Sequence, residues 1–209
     1  MSMKKSCPTK TGSLHASSTR PNRNKQMKKK VDNSSYSTTI DIGASKLKQM
    51  VWYFTNILFF KNPLNVISST KTALLKAFGA QIGNGVLIKP SVNIKYPWKL
   101  KIGDHCWIGE NVWIDNLSEV VMESNVTLSQ GALLLTGSHD HTKQTFDFIS
   151  LPIKLEEGVW IGANAVVFGG VKCHSHSILG INSVAEKNME PYYIYKGNPA
   201  IPVLAREIK

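Results

Sequence analysis

The sequence predicts an all-β fold: a three-sided parallel β-solenoid of about five coils, with a helical extension at its N-terminal end. Fifteen apolar residues recur at intervals of six: Ile82, Ile88 and Ile94; Ile102, Ile108 and Ile114; Met122, Leu128 and Leu134; Leu155, Ile161 and Val167; Cys173, Leu179 and Ala185. A period of six fits neither a helix nor a plain strand. It suits a coil in which each hexad makes one short strand and one turn. Extra chain enters only between groups of three, after the hexads of Ile94, Ile114 and Leu134. Three hexads therefore close one coil, and the next stacks on it by parallel pairing. With 42% of the chain apolar, fifteen such positions in a row have a chance probability of about 2 × 10⁻⁶.

Two further regularities support the coil. Four residues after most markers the side chain is small (Val86, Cys106, Val112, Ala132, Ala165 and Ser183 among them), as a tight corner would require; Trp98 and Met189 are exceptions. Glycine follows the marker at Gly83, Gly103, Gly109, Gly162 and Gly180, where a turn with positive φ is expected.

The flanks read differently. Formal net charge is +11 over 209 residues, but residues 1–30 hold nine basic residues and no acid. Positions 1–40 therefore read as a disordered basic tail, too poor in apolar residues to fold. The rest is nearly balanced, so no nucleic-acid partner is expected. No apolar run follows the early lysines, so no secretory signal is read. Cys7, Cys106 and Cys173 form no CxxC pair, and a cytoplasmic setting is expected. Positions 41–80 read as a helical cap. One helix spans about Ala44 to Phe60 and stops at Asn62-Pro63; a second spans about Val66 to Phe78 and stops at Gly79. Both are expected to cover the open end of the first coil. The uncharged run Gln49 to Phe60 is too short to span a bilayer, and peripheral contact with a membrane surface is the lesser alternative. Positions 81–190 form the solenoid, with a loop at 135–152. Positions 191–209 form a tail in which Tyr192, Tyr193 and Tyr195 are expected over the last coil.

The loop holds the chemistry. It opens Gly137-Ser138-His139-Asp140-His141, with Gly137 expected to permit a sharp departure. Long loops in compact repeats are commonly functional, and histidine titrates near neutrality, which suits a general base. Such a base needs a partner on its second ring nitrogen. Asp115 and Asn116, one coil earlier, are the candidates. Cys106 and Cys173 fall on inward positions and lack the exposed setting of a reactive thiolate. Trp107 and Trp113, each just before a marker, belong on outward faces against a neighbouring subunit.

The hexads, Gly137-Ser138-His139, Gly158-Val159-Trp160-Ile161-Gly162 and Gly197-Asn198-Pro199-Ala200 together resemble the hexapeptide-repeat acyltransferases. The similarity covers about Trp52 to Arg206 and points to the colanic acid biosynthesis acetyltransferase type, related to galactoside and maltose O-acetyltransferases. It implies a left-handed parallel β-helix with triangular coils, a homotrimer with sites between subunits, and acetyl transfer from acetyl-CoA to a hydroxyl of a sugar or exopolysaccharide precursor. On this resemblance His139 is the catalytic base. Asp115 sits where the related sugar acetyltransferases place an Asn that contacts the acceptor and helps orient the His, with Asn116 and His141 beside the substrate. Trp160 lines the thioester end of the CoA channel, Gly162, Ala163, Gly180 and Ile181 flank the pantetheine arm, and Lys187 lies near the CoA phosphates. Many relatives carry Arg just after the Gly-x-Pro-x turn where this chain has Ile201, so Arg206 or Lys196 is the substitute. No metal is expected. Two alternatives stand beside this reading. One is a zinc trimer like the gamma carbonic anhydrases, using His139, His141 and either His174 or His176; the other is a β-helix scaffold without turnover.

Overall fold

The structure is a computed structural model that describes residues 29–36 and 40–209. The disorder expected of the basic tail lies outside the described residues for positions 1–28 and 37–39. Positions 33–35 of that tail form a short 3-10 turn, Asn33–Ser35, whose first turn is closed by the Asp32 side chain.

The hexads build three parallel walls. The first holds Gln81–Ile82, Leu100–Ile102, Val120–Met122, Ile153–Leu155 and Lys172–Cys173; the third holds Asn93–Ile94, Trp113–Asp115, Leu133–Leu135, Val166–Phe168 and Val184–Ala185. The second wall runs Leu87–Ile88, Trp107–Ile108, Thr127–Leu128, Trp160–Ile161 and Ile178–Leu179. The hairpin Tyr193–Gly197 with Ala200–Ala205 then extends it. Register locks the coils: Gln81 pairs with Lys101, Lys101 with Val121, Val121 with Lys154, and Lys154 with Lys172. All fifteen markers are buried along the axis, which is the continuous core that stacked repeats require.

Both secondary regularities have causes other than those expected. The glycine after the marker does not take positive φ. That conformation falls two residues later, at Gly85, Ser91, His105, Asn111, Asn125, Gly131, Asn164 and Asn182, where Asn and Gly tolerate it best. The first glycine is needed for close approach: a Cβ on Gly162 would stand 2.7 Å from the Ile181 nitrogen, and one on Gly109 would stand 2.8 Å from the Gln130 nitrogen. The small corner residue is correctly counted back from the next marker. Where extra chain enters between coils the buried corner side chain is larger: Val120 takes the place of the partly exposed Ser118, and Leu100 and Ile153 occupy the equivalent positions.

The helices are shorter than expected but lie where expected. The first, α1, spans Lys46–Thr55 with Ser45 as its N-cap and continues as a π-turn over Asn56–Phe60. The second, α2, spans Ser68–Ala77. Trp52, Asn56 and Phe60, four residues apart, form the buried stripe of the first element. Side chains satisfy the edge of the first coil, which has no coil beneath it. Trp52 Nε1 donates to Ile94 O (3.0 Å), Lys71 Nζ to Lys89 O (2.9 Å), and Ser68 Oγ accepts from Ile88 N (2.8 Å). Burial pushes the Lys71 ammonium below the ordinary lysine range. At the other end only Tyr195 is buried, and Tyr192 and Tyr193 stay exposed.

Candidate active site

The insert is a two-stranded antiparallel hairpin, Gly137–His139 against Phe148–Ser150. Its base is tied to the coil below: Thr136 Oγ1 donates to Asp115 O (2.8 Å), and Ser150 Oγ donates to Ser118 Oγ (2.8 Å). Gly137 sits in extended strand and serves packing instead of the sharp bend expected. A Cβ there would meet Leu117 Cδ1 and Phe148 Cζ, both at 2.8 Å.

His139, half-buried, is fixed by three aromatic neighbours and one carbonyl. It stacks on Phe146 (ring centroids 4.4 Å apart, 5° between planes) and meets Phe148 edge-on at 5.2 Å. Tyr36, from the described part of the tail, reaches within 5.9 Å, and Asp32 N donates to Gln144 O (2.9 Å). The Nδ1 atom lies 3.0 Å from Phe146 O. A carbonyl only accepts, so this contact places the neutral ring's proton on Nδ1 and leaves the Nε2 lone pair free. Phe146 pays a local strain to aim that carbonyl: its φ is +49°, a region that costs a bulky residue about 1–3 kcal/mol.

Within one chain the group hydrogen-bonded to the His139 ring is thus the Phe146 carbonyl, while Asp115 and Asn116 are engaged elsewhere. Asp115 is buried and ion-paired with Lys95 at 2.8 Å. It pairs with Leu135 in the ladder, one coil below the root of the hairpin. Asn116 is fully buried, accepting from Tyr96 N (2.9 Å) and donating to Tyr96 O (2.7 Å). Its amide clasps two coils together and is not directed at a cleft. An open cleft of about 460 Å³ lies between α1 and the third wall, lined by Tyr53, Asn56, Lys95, Tyr96 and Trp113. His141 is exposed on the hairpin tip.

A second cluster lies on the second wall. Trp160, Trp107, His176 and Arg206 line an open recess of about 460 Å³. Trp160 Nε1 donates to Ser129 Oγ (2.8 Å). Arg206 Nη1 donates to Gly158 O and His176 O, both at 2.9 Å, so one arm of the expected phosphate ligand clasps the tail to the coil. The N–H groups of Trp160, Gly162 and Gly180 are given to Ser177 O, Leu179 O and Tyr195 O. Ala163 and Ile181 share one corner, where Asn182 N donates to Ala163 O (2.9 Å), and the Ile181 side chain is exposed. Lys187 lines a different recess, with Tyr195 and Ile201. Within one chain the His139 hairpin projects from the corner between the third and first walls, whereas the Trp160 recess lies on the second.

Cys106 and Cys173 are buried free thiols. Burial pushes Cys106 up, and Cys173 is pushed up to about 12. Among the described residues no three His, Cys, Asp or Glu side chains of one chain gather as metal ligands; His174 faces Glu156 and His176 packs on Tyr192.

No protein-family model matches the chain. It is 34% identical over 164 residues to the "Putative colanic acid biosynthesis acetyltransferase WcaF" of Escherichia coli (strain K12), spanning 78% of this chain and 90% of that protein. The chain belongs to the hexapeptide-repeat acetyltransferases. Galactoside O-acetyltransferase of Escherichia coli (strain K12) is a more distant relative, 26% identical over 132 residues, covering 62% of this chain and 65% of its own. The fold is that of the hexapeptide-repeat acetyltransferase VCA0836 of Vibrio cholerae O1 biovar eltor, solved with acetyl coenzyme A (TM-score 0.71, 21% identity, 80% of this chain and 93% of that one). It is also that of a galactoside acetyltransferase solved with coenzyme A (TM-score 0.68, 23% identity, 77% and 82%). Family membership makes this protein an acetyltransferase. Sequence reasoning missed Phe146, Phe148 and Tyr36 as neighbours of His139. The run Phe146-Asp147-Phe148 was the available signal, since paired aromatics in a polar loop need a surface to pack on.

Proposed function

We propose that the protein moves the acetyl group of acetyl-CoA to a hydroxyl of a sugar or glycan precursor, with His139 as general base. The carrying observation is the Phe146 carbonyl 3.0 Å from Nδ1, which leaves Nε2 able to accept a proton. In this reading the acceptor oxygen attacks the thioester carbonyl as Nε2 takes its hydrogen. The tetrahedral intermediate expels the CoA sulfur, which takes that proton back from the imidazolium. No covalent enzyme intermediate is needed.

Two further features support sites shared between subunits of a homotrimer. His139 stands on a hairpin that leaves the corner between the third and first walls, and the Trp160 recess lies on the second wall, an arrangement that suits a site completed by a neighbouring copy. The walls also differ in outward character. The first is a lattice of ion pairs (Lys101–Glu119, Lys154–Glu123, Lys172–Glu156). The second and third expose Leu87, Trp107, Trp160 and Trp113, surfaces suited to burial against a neighbour. Asp115 and the cleft beside α1 then serve the acceptor, and Trp160 the donor.

The test is release of CoA thiol from acetyl-CoA across a panel of hydroxylated sugars and glycan fragments. His139→Ala is expected to lower turnover by about 10²–10⁴ while acetyl-CoA still raises the melting temperature. Normal turnover in that variant would remove His139 from the mechanism.

A further inference from the structure

The outer face of α1 is apolar. Leu47, Met50, Val51, Phe54 and Leu58 follow helical spacing away from the buried stripe, and are between 46 and 66% exposed. Leu64, just beyond the helix, is 86% exposed. Beside the buried stripe of Trp52, Asn56 and Phe60, this second row of apolar side chains has nothing covering it within the chain. A run of exposed side chains this large is a contact surface.

Charge says what covers it. Between Ile42 and Gly103 the chain has nine lysines and no acidic residue. Lys46 and Lys61 stand exposed at the two ends of the apolar stripe, and Lys76 is exposed on α2. A second copy meeting the same face would set like charges against each other. Four carboxylates elsewhere on the solenoid (Asp115, Glu119, Glu123 and Glu156) are already held by lysines. Apolar side chains flanked by lysine alone are the pattern of a helix that lies in a membrane interface, apolar face among acyl chains and cations among headgroups. No helix among the described residues is long and apolar enough to cross a membrane, so the element lies on the surface. Residues 1–30 add nine further basic side chains and no acid.

We propose that α1 and the π-turn that continues it dock this acetyltransferase on an anionic lipid surface through Leu47, Met50, Val51, Phe54 and Leu58. The test is flotation of the full chain with vesicles of phosphatidylcholine alone and with about one third phosphatidylglycerol. The wild type is expected to float with the anionic vesicles and at least about tenfold less with the neutral ones. F54E/L58E, both at exposed positions, is expected to lose anionic binding at least about tenfold, with unchanged thermal unfolding and subunit association. M50Q/F54Q, which adds no charge, is expected to lose at least about threefold and serves if the first variant does not fold. Three results would each overturn the proposal. The wild type fails to float; both variants float like the wild type, which assigns the binding to the basic tail; or either variant loses subunit association, which assigns the face to a second copy. None of these readouts depends on turnover, so they stand apart from the test of His139.

Discussion

His139 shows how a backbone group can set the chemistry of a side chain. A carboxylate partner would stabilise a charged imidazolium; a carbonyl at 3.0 Å chiefly selects the tautomer. It is held there by a phenylalanine at φ +49°, so the backbone strain falls on the residue that faces the proposed base. Phe146→Gly removes both the strained conformation and the ring stacked on His139. Thermal stability is expected to be unchanged or slightly higher, while kcat falls between about tenfold and 10²-fold through misplacement of the base. Parallel melting and kinetic measurements separate this from simple unfolding, which would lower both. His139 itself was legible in the sequence, because a histidine at the mouth of the largest insert is an unusual placement. Its orienting partner was not, because any residue carries a carbonyl. Asp115 and Asn116 were reasonable candidates by coil register; Lys95 and Tyr96, each one coil below, engage them instead.

At the level of the elements, the coil repeats one geometric demand at each corner, and the sequence pattern follows it closely. The six-residue period was readable because every marker is buried. The division of labour within a turn was not: glycine after the marker reads as a bend, yet contact with the next coil excludes its Cβ, and the bend itself falls to Gly, Asn, Ser or His two residues on. Gly162→Ala is expected to destabilise by about 1–3 kcal/mol, whereas Asn182→Gly, at φ +55°, should be near neutral; denaturant titration of the two variants distinguishes the positions. The first wall also has an acid-sensitive joint. Lys172, then Ser175, holds the Glu156 carboxyl at about 2 against an ordinary 4.5. A depressed carboxylate stabilises the fold fully above its unfolded pKa and loses that contribution as pH falls through the folded one. Melting temperature is therefore expected to be insensitive to Glu156 above about pH 5 and to fall between pH 4.5 and 2. Glu156→Gln should flatten that part of the profile.

The surfaces of the molecule differ in chemistry. One wall is ionic, two are apolar and aromatic, and the N-terminal end carries helices whose outer face is apolar between lysines. The walls were foreseeable, since Trp107, Trp113 and Trp160 each precede a marker and must point outward. The apposition of Tyr36 to His139 was not, because it joins chain segments that no repeat relates. On the proposed mechanism, the base on the hairpin and the donor recess on the second wall meet across the seam with a neighbouring copy. A crystal structure of the protein with CoA tests it most directly. The expected result is a trimer with CoA along the seam between two copies, its sulfur beside His139 Nε2, leaving room for an acceptor oxygen about 3–3.5 Å from the reacting carbon. A monomer, or CoA bound where no copy's His139 can reach its sulfur, would contradict the account.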